Sequence, residues 1–347
     1  MDWRRTRCGL APLLLAGTGA LLAACGQGGA ESDALLRDYQ QHLASQLDLA
    51  PPPPATPDNI GAFPERRDRL VDIPETRAGL LNVYALRECH ITTLVAERNS
   101  ALGRVAPASQ QWRYELTLWE RLNACLESDV PERLGEADLA RLESLAATKS
   151  EQLPAAAWNG LFGSEEWAGN FTRVSAALPP DALAPPAAQQ DALDYLHALS
   201  TAPLSGARRP DPDALESHLS ALRARPYSAE LLRTLMLATQ RLEEASALIQ
   251  QALARHDACR TPALPTGLDA PETRPAGDWL AALEQAADSW LEALTPLFTL
   301  LDSPPAAVAH YRESWLSTTE PGAPLPAFRS ALEEHRGLRE AHAERCR

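Results

Sequence analysis

The sequence predicts an all-α protein: a helical bundle with Pro-rich connections, stapled by disulfides. Three observations predict it. Ala, Leu, Glu, Gln and Arg, all good helix formers, dominate, while runs of Val, Ile, Thr and Tyr are almost absent. Apolar residues recur at three- and four-residue steps along most of the chain. The prolines fall mostly between these periodic stretches, where they end helices.

The first element is a leader. Arg4, Arg5 and Arg7 precede an apolar stretch from Leu10 to Ala24, too short for a membrane-spanning helix, which needs about twenty apolar residues, and suited to a secretory signal. Leu22-Ala23-Ala24-Cys25 resembles the bacterial lipobox, which implies cleavage before Cys25 and a lipid on its thiol. Residues 1–24 are therefore expected to be removed. Gly26, rather than Asp, at the next position implies outer-membrane sorting and a periplasm-facing domain in a Gram-negative host.

Residues 25–64 are expected to hold the lipid anchor, a tether helix and a Pro-rich linker. The helix is predicted over 33–49, with Leu36, Tyr39, Leu43 and Leu47 on one face, and Pro51–Pro54 begin a semi-rigid linker. Residues 65–200 are expected to form an N-terminal helical region and 201–347 a C-terminal one. In the former, long patterns at 74–102 and 109–126 flank a turn at 103–108 and predict an antiparallel hairpin. Shorter helices are predicted over 136–149, 164–178 and 186–199, with Ser164 as an N-cap after a glycine-rich connection at 160–169.

In the C-terminal region, Asp211-Pro212 opens a helix reaching about residue 223. Residues 228–257 are the most regular stretch, with Leu231, Leu235, Ala238, Leu242, Ala245, Ile249 and Ala252 marking a bundle face. Further helices are predicted over 278–301, kinked at Pro296, after a Ser303-Pro304 cap, and over 327–345.

Four cysteines remain after Cys8 and Cys25, which in an oxidising compartment implies disulfides. Cys89 and Cys125 are equidistant from Pro107, inside the hairpin turn, so an antiparallel pair places them level. Cys259 and Cys346 pair by elimination. A zinc alternative exists for that second pair, because His256-x-x-Cys259 and His342-x-x-x-Cys346 offer two nitrogens and two sulfurs.

The formal net charge is −14, and loss of the leader, which carries three arginines and Asp2, makes it −16. Such acidity argues against nucleic acid, whose phosphates need basic neutralisation. No nucleophile elbow, phosphate loop, His-Glu-x-x-His or dinucleotide fingerprint is present, and no cofactor or metal is called for. One polar cluster stands at the closed end of the hairpin: Glu97, Arg98, Asn99, Ser100, Arg104, Gln110, Arg113 and Glu115 are candidate recognition residues.

Cys89-His-Ile-Thr-Thr-Leu-Val-Ala-Glu-Arg-Asn-Ser-Ala-Leu-Gly-Arg-Val105, continuing through Pro107–Gln110 and Tyr114-Glu115, together with Leu35-Leu-Arg-Asp-Tyr-Gln40 and the lipobox, resembles a family of gammaproteobacterial lipoproteins, the domain-of-unknown-function family numbered thirty-eighty. The resemblance extends over residues 34–127. It implies a Gram-negative address and no activity, cofactor or catalytic residue. The expected partners are thus a membrane, through the lipid anchor, and an envelope protein. The favoured reading is a non-enzymatic binding or scaffold module. The alternative is an enzyme or small-ligand binder, with cell-wall carbohydrate as one substrate class, whose site is a cleft lined by Trp112, Trp119, Glu97 and Arg98.

Overall fold

The computed structural model describes residues 27–76, 79–174, 176–205 and 210–347. The leader and Cys25 lie outside the described residues. These residues form helices joined by turns and extended segments, with no β-strand among them. In chain order the helices are α1 (Gln27–Gln46), α2 (Arg66–Arg69), α3 (Leu80–Ala85), α4 (Thr92–Asn99), α5 (Ala101–Arg104), α6 (Ala108–Leu126) and α7 (Glu136–Phe162). There follow α8 (Glu165–Asn170), α9 (Ala187–Ser205), α10 (Leu215–Arg223), α11 (Tyr227–Leu253), α12 (Arg274–Phe298), α13 (Ala306–Tyr311) and α14 (Pro324–Arg345). None of them is long and apolar enough to cross a membrane.

The predicted stripe of the tether helix is correct. Leu36, Tyr39, Leu43 and Leu47 are all buried, and α1 lies along α11. The Pro-rich stretch that follows is a strap across the bundle. Asn59 Nδ2 donates to the Val174 carbonyl at 2.8 Å, Ile60 is fully buried, and Phe63 stacks on Phe171 at 4.9 Å.

The hairpin is only half regular. Its second arm, α6, forms as predicted, but the expected long helix over 74–102 is broken into α3, a 3-10 turn (Arg87–Cys89), α4 and α5. Leu86, Cys89 and Ile91 are all buried. In a continuous helix Leu86 and Ile91 would point about 140° apart. His90, with a left-handed φ of 57°, turns the chain so that all three reach the same small core. Ser100 then stops α4 in an extended conformation and caps α5 by accepting from the Gly103 N–H.

The main neighbour of α6 is α7 rather than the first arm. The sequence predicts that this helix ends near Lys149, before Pro154. It instead runs to Phe162, because Leu153, Ala156, Ala157, Trp158, Leu161 and Phe162 are all buried and their burial outweighs the hydrogen bond lost at the proline. Gly160 is therefore helical and not part of a connection. A Cβ there would lie 2.5 Å from Trp112 Cβ, so the glycine lets α6 and α7 approach. Ser164 caps α8 as expected, by accepting from the Trp167 N–H, but α8 stops at Asn170 because Phe171 turns into the core.

Asp211, α11 and α14 follow the predictions closely. Ser303 does not cap the following helix. Pro305 precedes α13, which continues into a π-helical turn over Arg312–Leu316. One large core takes side chains from Leu36 to Leu332. Its aromatic centre is Trp158 stacked on Phe162 at 3.8 Å, with Phe298 edge-on to Phe162 and Phe171.

Beside this core lies a buried polar chain joining α1, α11 and α14. Arg339 Nη1 donates to the Tyr39 hydroxyl oxygen at 3.0 Å. The Tyr39 O–H is then directed to His335 Nε2, leaving Nδ1–H to donate to Ser246 Oγ at 3.0 Å. The imidazole is thereby held neutral. Burial, with Arg339 and Arg336 nearby, pushes His335 down to about 3.

Two predictions follow from this packing. Gly160→Ala normally adds about 1 kcal/mol in a helix. Here it should cost roughly 1–3 kcal/mol through overpacking on Trp112. Thermal unfolding reads the sign, and a higher Tm would remove the close-approach argument. His335 titrates near 6.5 when unfolded and far lower when folded. Its contribution is intact above pH about 6.5 and is lost as pH falls from there toward 3, at up to about 1.4 kcal/mol per pH unit. Denaturant titrations should show the advantage of wild type over His335→Gln shrinking between pH 7 and pH 4. A constant difference would contradict the neutral, buried assignment.

Candidate functional site

The hairpin tip is mounted on a small separate core. Cys89 and Cys125 are bridged, with Leu86, Ile91, Leu118, Leu122, Val130 and Leu142 around them. Beyond this base, α4 and α5 bury no side chain. The exposed large apolar residues among those described are Leu81, Tyr84, Leu102 and Val105, and all belong to this one segment. Leu102 and Val105 retain 82% and 78% of their exposure, which makes them poor candidates for intramolecular packing.

The polar candidates divide around this tip. Glu97, Asn99, Ser100, Arg104 and Gln110 are exposed near the turn. Arg98 is committed within it: Nη1 donates to the Gly103 carbonyl at 3.0 Å and the guanidinium lies over the Tyr114 ring. A Cβ on Gly103 would collide with the Glu97 and Arg98 carbonyls, so the turn closes only with glycine there. Arg113 leaves the group to pair with Asp213 at 3.1 Å, and Ser109 beside it donates to Glu216 at 2.7 Å. Glu115 faces α7, where it pairs at 2.9 Å with the buried Lys149. The structure thus brings together the candidates from Glu97 to Gln110 and assigns Arg113 and Glu115 to the contacts of α6 with its neighbours.

The cleft expected from Trp112, Trp119, Glu97 and Arg98 is not formed. Trp112 is buried against Gly160, Trp119 Nε1 donates to Ser150 Oγ at 2.9 Å, and Glu97 is exposed at the tip. Trp158, Trp167, Trp279 and Trp290 are also buried, and Trp315 packs on the core, so core packing accounts for the tryptophans.

A cleft exists elsewhere. Gly29, Asp33 and Arg37 step by four along α1, and Arg233, Leu237 and Arg241 step by four along α11. With Pro54–Pro57 of the strap and Ala176–Ala177, they border an open groove of about 310 Å³. Gly29 is required there, since a Cβ would lie 2.6 Å from the Ala177 nitrogen. Arg241 is buried and fixed: Nε meets Asp33 Oδ1 at 2.7 Å and Nη1 meets Glu244 Oε1 at 2.8 Å. Arg37 Nε shares the other Asp33 oxygen at 3.3 Å. Arg233 Nη1 donates to the carbonyls of Pro57, at 2.6 Å, and Asp58. Partial burial disfavours the Arg233 charge, and Asp58 opposes that effect. The only sequence signal for this cleft is the four-residue spacing, which carries no meaning until α1 and α11 are paired.

The second cysteine pair is also bridged, Cys259 to Cys346. The bridge takes both thiols of the zinc alternative, and His342 is turned inward, with Nδ1 accepting from the Leu264 N–H at 3.3 Å. Among the described residues no group of three His, Cys, Asp or Glu is placed to hold a metal.

Residues 36–269 match the model of the family described as Protein of unknown function (DUF3080), and the chain belongs to that family. The match extends well beyond the 34–127 over which the resemblance was read. No curated protein and no solved structure matches the chain.

The bridge at the base of the tip generates a prediction. Replacing Cys89 and Cys125 by serine should cost up to about 4 kcal/mol in the chain-entropy limit for a closure of this length. It should also speed amide exchange in residues 80–105 more than in α11. Equal exchange changes in both segments would show that the bridge does not act locally.

Proposed function

We propose that this member of the family is a lipid-anchored envelope protein that binds a partner protein through its hairpin tip, without catalysis. The observation that carries this reading is the concentration of Leu81, Tyr84, Leu102 and Val105, all exposed, in one disulfide-mounted segment. Exposed apolar side chains interspersed along one segment with exposed polar groups, here Glu97, Asn99, Arg104 and Gln110, have the make-up of a protein interface. The leader and the lipobox ending at Cys25 support the envelope address. The acidic chain supports a protein partner over nucleic acid.

The test places a photo-crosslinking amino acid at Leu102 or Val105 in cells, with Glu333, exposed on α14, as control. One envelope protein is expected from the tip positions, absent from the control, and lost in a Leu81→Asp/Tyr84→Asp background whose Tm is unchanged. Crosslinks that are equally frequent and heterogeneous at tip and control, or none to protein, would refute the tip as a docking surface. Intact mass checks the anchor separately: a chain beginning at Cys25 with added acyl mass is expected, and an unmodified chain retaining Ala24 would remove the envelope address.

A further inference from the structure

The α1–α11 cleft holds three guanidiniums that are not equally committed. Arg241 is spent on Asp33 and Glu244. Asp33 is divided between Arg241 and Arg37, so Arg37 has only half a carboxylate, through Nε, and its two Nη groups have no protein partner among the described residues. The Arg37 side chain keeps 40% of its exposure, so those groups can be reached. Arg233 uses Nη1 alone, on two backbone carbonyls, which leaves Nε and Nη2. Arg37 and Arg233 thus line one cleft with donors left over.

We propose that this cleft binds the phosphate of a small mono- or diester, with Arg37 and Arg233 as the donors. Guanidinium forks match phosphate oxygens in geometry and charge, and two of them converging can satisfy two oxygens each. About 310 Å³ is room for a phosphate with a short organic substituent. The strap fits this role. Pro54–Pro57 form one wall, and Arg233 itself holds the strap at Pro57 and Asp58.

Cleft residue Gly29 stands four residues after Cys25, so at most about 14 Å of extended chain separates the two. Acylation of Cys25 would bring the cleft within reach of phospholipid headgroups. The phosphodiester of an anionic headgroup is then the favoured source. That source rests on the lipid-anchor reading above, whereas the phosphate site itself does not.

Calorimetric titration of the full-length protein, purified from membranes in non-ionic detergent, tests this with three probes: inorganic phosphate, glycerophosphoglycerol as a soluble headgroup, and glycerol as the uncharged control. Saturable binding of the phosphate probes, and none of glycerol, is expected. Arg37→Gln and Arg233→Gln should each weaken it about tenfold or more, the loss of one charge-assisted pair. Because Arg233 also holds the strap, Arg37→Gln is the decisive variant, and its Tm should be unchanged. Tighter binding of glycerophosphoglycerol assigns the headgroup source. Equal or tighter binding of inorganic phosphate assigns free phosphate to the same site. No saturable binding of either, or binding unaltered by both substitutions, overturns the proposal. Intact mass of the same preparation separates a missing anchor from a missing phosphate site.

Discussion

The structure depends on the burial of α11. Sixteen of its residues, from Tyr227 to Ala252, are buried. They occupy more than one face, so the helix must be covered from several sides, and α1, α8, α12 and α14 all pack on it. Apolar burial alone would leave these neighbours free to slide, because it is not directional. The buried polar residues of α11 remove that freedom. Ser228 accepts from Trp290 Nε1 on α12, and Thr234 Oγ1 accepts from the Leu178 N–H. Arg241 pairs with Asp33 on α1, and Ser246 bonds His335 on α14. Each polar side chain addresses a different neighbour. Leaving any of these groups unpaired would cost about 1–3 kcal/mol, and more for the buried charge, so one register is selected for each contact.

What could be read from the sequence follows from how local its cause is. The regular face of α11 and the stripe Leu36–Tyr39–Leu43–Leu47 were legible because one helix face meets one core. The Cys89–Cys125 bridge was legible because the antiparallel geometry of a hairpin places equidistant residues level, even though the first arm is not one helix. The breaks in that arm were not legible. His90 takes a left-handed conformation to bring Ile91 beside Leu86, a demand made by α6 and not by the segment itself. The extension of α7 past Pro154 has the same origin, since the side chains that outweigh the proline are buried by distant elements. Gly160 reads as a loop residue in isolation and becomes a contact residue only when Trp112 lies on it.

The candidate sites divide in the same way. The tip was visible as a run of polar residues, whereas the exposure of Leu102 and Val105 left no signal in the sequence. That exposure arises because the turn stands beyond the half-buried Leu94 and Val95, where no core side chain reaches it. The α1–α11 cleft was invisible because its two stripes lie some two hundred residues apart. His335 was likewise hidden, since Tyr39 and Arg339, which set its proton and its charge state, come from opposite ends of the chain.

The placement of the first bridge bears on why the tip can remain exposed. Helices as short as α4 and α5 are marginal in isolation and gain stability from tertiary packing. Here that packing is limited to the half-buried Leu94 and Val95 of α4 on the small core, and neither helix fully buries a side chain. The covalent link at Cys89 and the capped turn at Ser100–Gly103 restrain the segment at its two ends instead. Restraint of this kind lowers the ordering cost that docking would otherwise impose, without covering the apolar side chains that docking would use. An exposed segment cannot be stabilised by its own burial, and a crosslink beneath it is one of the few devices that stabilises the segment while leaving its surface free.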